Sequence, residues 1–90
     1  LYVLPYVSLV LEKERHMRRM VTIYNRNRPK HERLKVCALY GDLTLSNSSI
    51  LRTHILVCTI EKANFVANCL ISMNKASSLG SVVIGEYIIS

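Results

Sequence analysis

In the stretch Ile55-Leu56-Val57-Cys58-Thr59-Ile60-Glu61-Lys62-Ala63-Asn64, a short apolar run ends at a threonine and a helix-compatible segment begins at once. That is the profile of a buried strand feeding directly into a capped helix. Thr59 is positioned to accept a backbone N–H of the first turn. Glu61 puts a negative charge where the helix dipole favours one. In an α/β protein, the carboxyl end of such a strand is where ligands are held.

The surrounding sequence extends this pattern in both directions. Residues 1–4 read as a short strand closed by Pro5. From residue 6 to 24 the pattern turns helical, with Val7, Val10, Leu11, Met17, Met20, Val21 and Tyr24 recurring at spacings near three and four. Glu12, Lys13, Arg15, His16, Arg18 and Arg19 fill much of the rest, so this helix covers a core with one side and shows basic charge on the other. Glu14 falls close to the apolar stripe and is the one awkward residue. Residues 25–33 form a polar, arginine-rich loop interrupted by Pro29.

A second strand is expected over 34–40, ended by the turn pair Gly41-Asp42. Residues 43–52 are a Ser/Asn-rich connection without a period. The third strand covers 54–58, and the second helix 61–73, with Val66, Cys69, Leu70 and Met73 on one face. A loop over 75–80 leads to a fourth strand over 81–84. Short β-branched runs alternating with helices predict an α/β fold of about four short parallel strands with covering helices. No internal repeat, low-complexity tract or domain boundary is visible, so the chain reads as one unit.

Ninety residues allow one small domain or a piece of a larger one. The chain opens on Leu1 within an apolar stretch and stops directly after Ile88-Ile89, which predicts a fragment truncated at both ends. Half the residues are hydrophobic, which argues against disorder. The longest nearly apolar run, residues 1–11, falls short of the roughly 20 residues that span a bilayer and lacks the basic lead-in of a secretory signal. A soluble intracellular protein with no membrane contact is the expectation. Asn47-Ser48-Ser49 matches a glycosylation sequon, a triplet common by chance.

Cys37, Cys58 and Cys69 have no Cys-x-x-Cys spacing or nearby histidine, so neither zinc nor a disulfide framework is indicated. Their apolar neighbours predict small buried hydrophobes. His16, His31 and His54 have no ligand or triad spacing. The five tyrosines are scattered rather than interleaved with the basic residues, so no base-stacking platform is expected.

Charge is divided unevenly. Residues 1–35 carry nine Lys or Arg against three acids, while residues 36–90 carry three against three. The whole net charge of +6 therefore belongs to the first part, which points to a polyanion partner or a solvated basic face.

Three segments carry a family likeness. Leu4-Pro5-Tyr6-Val7-Ser8-Leu9-Val10-Leu11-Glu12-Lys13 looks like motif Ia, Cys58-Thr59-Ile60-Glu61-Lys62-Ala63-Asn64 like the Thr-x-Glu-Lys motif Ib, and Gly80-Ser81-Val82-Val83-Ile84-Gly85-Glu86-Tyr87-Ile88 like motif II. In this order and spacing they resemble the first RecA-like domain of a superfamily 2 DNA helicase, within the repair-helicase group that includes the helicase of DNA polymerase theta.

The resemblance implies a partial helicase ATP-binding domain over residues 1–90, incomplete in its RecA-like fold. It implies a parent protein that is nuclear, works in DNA repair, and moves on single-stranded DNA using ATP and Mg²⁺. Pro5, Ser8, Lys13, Thr59, Glu61 and Lys62 would contact or organise the DNA backbone, and Glu86 would be the catalytic glutamate. The remainder of the helicase core would be the missing partner.

Two departures weigh against hydrolysis by this chain. Gly85 stands at the motif II aspartate, and Ile88 stands at its histidine. Glycine has no side-chain oxygen to serve magnesium. No Gly-x-x-x-x-Gly-Lys-Ser/Thr occurs either. No cofactor is therefore expected for the fragment alone, and a catalytically inactive remnant or truncated isoform is the alternative.

Overall fold

The computed structural model describes residues 1–80, 82–84 and 87–89. One sheet carries the strands β1 (Tyr2–Leu4), β2 (Val36–Leu39), β3 (Ile55–Thr59), β4 (Val82–Ile84) and β5 (Tyr87–Ile89). Three α-helices join them: α1 (Val7–Asn25), α2 (Asn47–Arg52) and α3 (Ile60–Ser72). Short 3₁₀ turns lie at Lys30–Glu32 and Ala76–Ser78.

The sheet order is β2-β3-β1-β4-β5. The first four strands run parallel, as their sequence pattern predicts, and β5 returns antiparallel to β4. β5 lies beyond the four expected strands. Gly85 and Glu86, the residues that motif II would use, lie outside the described residues, as does Ser81 at the expected start of β4. Ile88, at the motif II histidine position, is the register partner of Val83.

Alternation along the strands builds a core on each face. Val3, Leu39, Leu56 and Cys58 pack with Ile50 of α2 and with Val66 and Leu70 of α3. On the other face, Leu4 and Val57 meet Val10 of α1, while Val36 meets Met17 and Val21. Both faces being covered explains why the strands read as continuous apolar runs rather than as alternating ones. The chain steps from β1 outward to β2 under α1. It steps back to β3 and across to β4 through α2 and α3 on the opposite face, so the connections share one hand, as parallel crossovers do.

The helices differ from expectation in instructive ways. Of seven apolar residues assigned to the α1 stripe, only Val10, Met17 and Val21 are buried; Val7, Leu11, Met20 and Tyr24 are exposed. The inner row runs 10, 14, 17, 21 and includes Glu14, whose Oε2 accepts from Arg18 Nη2 at 2.8 Å. That i,i+4 pair is how a carboxylate is tolerated at the edge of the core. The 43–52 connection contains α2, whose N-cap Ser46 accepts the Ser49 backbone N–H through Oγ at 3.2 Å. Cys58 is fully buried as expected, whereas Cys37 and Cys69 are half-buried at the margin of the core.

Candidate nucleic-acid interface

The carboxyl ends of β1 and β3 lie side by side, because Leu4 and Thr59 are register partners. Each strand passes almost directly into a helix. β1 leads through Pro5 and Tyr6 into α1, and β3 hands over to α3 at Thr59. Since α1 and α3 cover opposite faces, two helix N-termini flank one stretch of sheet edge.

Neither N-terminus is capped by its own side chain. Tyr6 caps α1 only through its carbonyl, which accepts from Leu9 and Val10 N–H, both at 3.1 Å, and no acid lies in the first turn. Thr59 has the extended N-cap backbone that the sequence suggests, but its hydroxyl makes no capping bond. The expected cap is therefore corrected: the residue holds the position without lending its oxygen to the helix. Glu61 does sit in the first turn of α3, where its charge suits the dipole.

An open groove runs from this edge along α1, lined by Leu4, Ser8, Leu9, Glu12, Lys13, Arg15, His16 and Arg19. Ser8 and Lys13, both expected at the DNA backbone, meet there. Lys13 Nζ also lies 5.4 Å from the Tyr2 ring centroid, which holds the ammonium against the sheet. Pro5 is exposed in the β1–α1 turn. Thr59, Glu61 and Lys62 stand at the neighbouring strand end, outside the groove lining. Lys62 Nζ lies 5.8 Å from the Phe65 ring on its own helix.

Sequence reasoning did not single out Arg15, His16 and Arg19 as site residues. Their signal was available: 8, 12, 15, 16 and 19 share a helical face. They escape a motif-by-motif reading because they lie two to six residues past the end of motif Ia at Lys13, about two to three turns along the helix from Ser8.

Cys58, next to Thr59 at the end of β3, keeps its proton at neutral pH. Burial pushes the Cys58 thiol up to about 11. Among the described residues, no group of three or more His, Cys, Asp or Glu is placed to hold a metal ion. In the sequence, Gly85 offers no side-chain oxygen to a metal ion, and no Gly-x-x-x-x-Gly-Lys-Ser/Thr occurs. Among the described residues, no helix is long and apolar enough to cross a membrane.

Sheet order, helices on both faces and a basic carboxyl edge define an α/β protein whose arrangement is consistent with an incomplete RecA-like domain. DNA polymerase theta of Drosophila melanogaster is 34% identical over 86 residues, which cover 96% of this chain and 4% of that protein. DNA polymerase theta of Mus musculus is 35% identical over 86 residues, covering 96% of this chain and 3% of that protein. The chain thus spans a few per cent of the length of the curated relatives it matches. No family model matches it, and no solved structure does.

Proposed function

We propose that this chain is part of the first RecA-like domain of a DNA helicase and that it grips the backbone of single-stranded DNA along the carboxyl edge. The observation that carries this is the pairing of Leu4 with Thr59. It sets two uncapped helix starts side by side, next to a groove lined by Lys13, Arg15 and Arg19. Free N–H groups at helix starts and nearby cations suit phosphate oxygens.

In this reading Pro5 shapes the turn that opens the α1 start. Ser8 and the unengaged Thr59 hydroxyl donate to phosphates, and Lys13 adds charge. Glu61 and Lys62 hold the β3–α3 junction in shape. The likeness to DNA polymerase theta supports a setting in DNA repair, and through it the nucleus. The parent protein would use ATP and Mg²⁺, with Glu86 as its catalytic glutamate, but this chain supplies no such site by itself. Gly85 and Ile88 favour a second reading, an inactive form that keeps only nucleic-acid or protein contacts.

Because phosphate contacts dominate, binding should ignore base sequence and weaken steeply with salt. A fluorescent single-stranded oligonucleotide titrated with the 90-residue chain at rising salt tests this. Affinity that stays constant from low to moderate salt would sink it. Ser8→Ala/Lys13→Ala should bind several-fold more weakly, with the salt slope reduced by about 0.7 for each phosphate that is no longer neutralised.

A further inference from the structure

The basic loop over residues 26–33 is held far more firmly than a surface loop requires. Asn25, at the end of α1, bonds both backbone groups of Leu34. Its Nδ2 donates to the Leu34 carbonyl at 3.0 Å, and its Oδ1 accepts the Leu34 N–H at 2.8 Å. One side chain thus ties the two ends of the loop together. Inside it, Asn27 takes a left-handed φ of 61°, a conformation Asn tolerates better than most residues. The Arg28 N–H returns to the Asn25 carbonyl at 3.1 Å.

Two arginines are fixed by this path. The Arg28 guanidinium stacks 4.0 Å from the Tyr24 ring centroid, and its Nε donates to the Tyr24 carbonyl at 2.8 Å. Arg33 Nε donates to the Arg28 carbonyl at 2.9 Å. Both are anchored through Nε, which leaves their terminal nitrogens to face solvent. The loop carries Arg26, Arg28, Lys30 and Arg33 against the single acid Glu32. Glu32 lies 3.9 Å from His31. Among the described residues, none of the four cations has an ion-pair partner.

The loop is remote from the carboxyl edge. It leads into the start of β2, at the opposite end of α1, about 27 Å from Ser8 at ~1.5 Å per helical residue.

We propose that the Asn25-clamped loop is a second nucleic-acid backbone site, in which Arg28 and Arg33 take phosphodiester oxygens of a segment separate from the one at the carboxyl edge. The guanidinium fork matches a phosphate, and prior anchoring lowers the entropy lost on binding. An acidic protein partner fits less well. Such partners anchor through apolar or aromatic groups; residues 26–35 present no exposed large apolar side chain, and the exposed Tyr24 ring beside them is already taken on one face by Arg28. The loop site stands independently of the carboxyl-edge reading.

The test is fluorescence anisotropy of a labelled single-stranded oligonucleotide with the 90-residue chain across a salt series. Arg28→Ala/Arg33→Ala should bind roughly tenfold more weakly, with the log–log salt slope smaller by about 1.4 for two fewer neutralised phosphates. Arg28→Lys/Arg33→Lys keeps both charges and loses the stacked fork, so it should retain the slope at intermediate affinity. It also serves if the alanine pair fails to fold. Wild-type affinity and slope in the variant that folds would overturn the proposal. So would displacement of the oligonucleotide by poly-glutamate at equal charge concentration. A loop pair that weakens binding while Ser8→Ala/Lys13→Ala does not would uphold the loop site and reject the carboxyl-edge reading.

Discussion

Leu4 and Thr59 are register partners on adjacent parallel strands, and each stands within three residues of the first turn of a helix that starts without a side-chain cap. Leu4 turns its side chain into the core with Val10 and Val57, so the β1 end is pinned from below. Thr59 keeps its hydroxyl out of the α3 ladder. A rigid strand end beside an uncommitted hydroxyl suits the backbone contact we propose, since contacts hold geometry best when built on regular elements.

Thr59 separates binding from stability. An N-cap threonine that bonds its helix loses about 0.5–2 kcal/mol on substitution by alanine. Thr59 makes no such bond, so Thr59→Ala should leave the urea midpoint nearly unchanged while weakening oligonucleotide binding. Thr59→Asp should raise stability instead. Its carboxylate can cap α3 and meet the dipole, adding about 0.5–1 kcal/mol, while repelling phosphate.

The four parallel strands and both long helices were legible in the sequence, because burial on two faces writes apolar runs and helical periods; the antiparallel β5 was not. Thr59 was recognisable as an N-cap position, but the direction of its hydroxyl depends on a rotamer that the sequence does not encode. α2 escaped because six residues are too few to show a period, and Ser46, Ser48 and Ser49 offer three rival caps. The loop clamp was invisible since Asn25 and Leu34 meet only after the chain turns back at Asn27.

Ser46 is the cap that is made. Its Oγ accepts from the Ser49 N–H, and α2 has only Ile50 buried to hold it down. Ser46→Ala should therefore cost about 1 kcal/mol in a urea titration, with hydrogen exchange accelerating first over residues 47–52. Equal protection in both proteins would mean that packing of Ile50 alone holds this turn.

Cys58 predicts an alkaline limit to stability. In the folded chain burial raises its thiol to about 11, against an ordinary 9.0. Below pH 9 both states keep the proton and the sulfur costs nothing. Between 9 and 11 the unfolded chain ionises first, so stability falls as pH rises, by about 2–3 kcal/mol at most. Cys58→Ala should flatten that part of the stability–pH curve relative to wild type. The native thiol should resist alkylation at pH 8 until the chain unfolds.

Asn25 links the stability of the loop to its proposed role. Replacing it with alanine removes both bonds to Leu34 and leaves that half-buried N–H and carbonyl unmatched, which costs about 1–3 kcal/mol. The charges of Arg28 and Arg33 remain, so oligonucleotide binding should weaken with little change in salt slope. A slope that fell as far as in Arg28→Ala/Arg33→Ala would mean that the clamp decides whether the arginines reach phosphate at all.

Leu39 tests how the two cores share the load. It is fully buried in the face under α3, on an edge strand bonded only to β3 among the described residues. Leu39→Ala should cost about 2–5 kcal/mol through reduced burial and a cavity. A chain of this size has roughly 5–13 kcal/mol in total, so β2 should be the first strand to lose exchange protection. Ile23, 64% exposed on α1, is the matched control: Ile23→Ala should shift stability by no more than about 0.5 kcal/mol. If Leu39→Ala released β2 while α1 stayed protected, the α1 face would be holding β1 and β3 without its edge strand. If α1 and β2 opened together, the cation-bearing helix and the edge strand would form one cooperative unit, and the loop that joins them would open only with both.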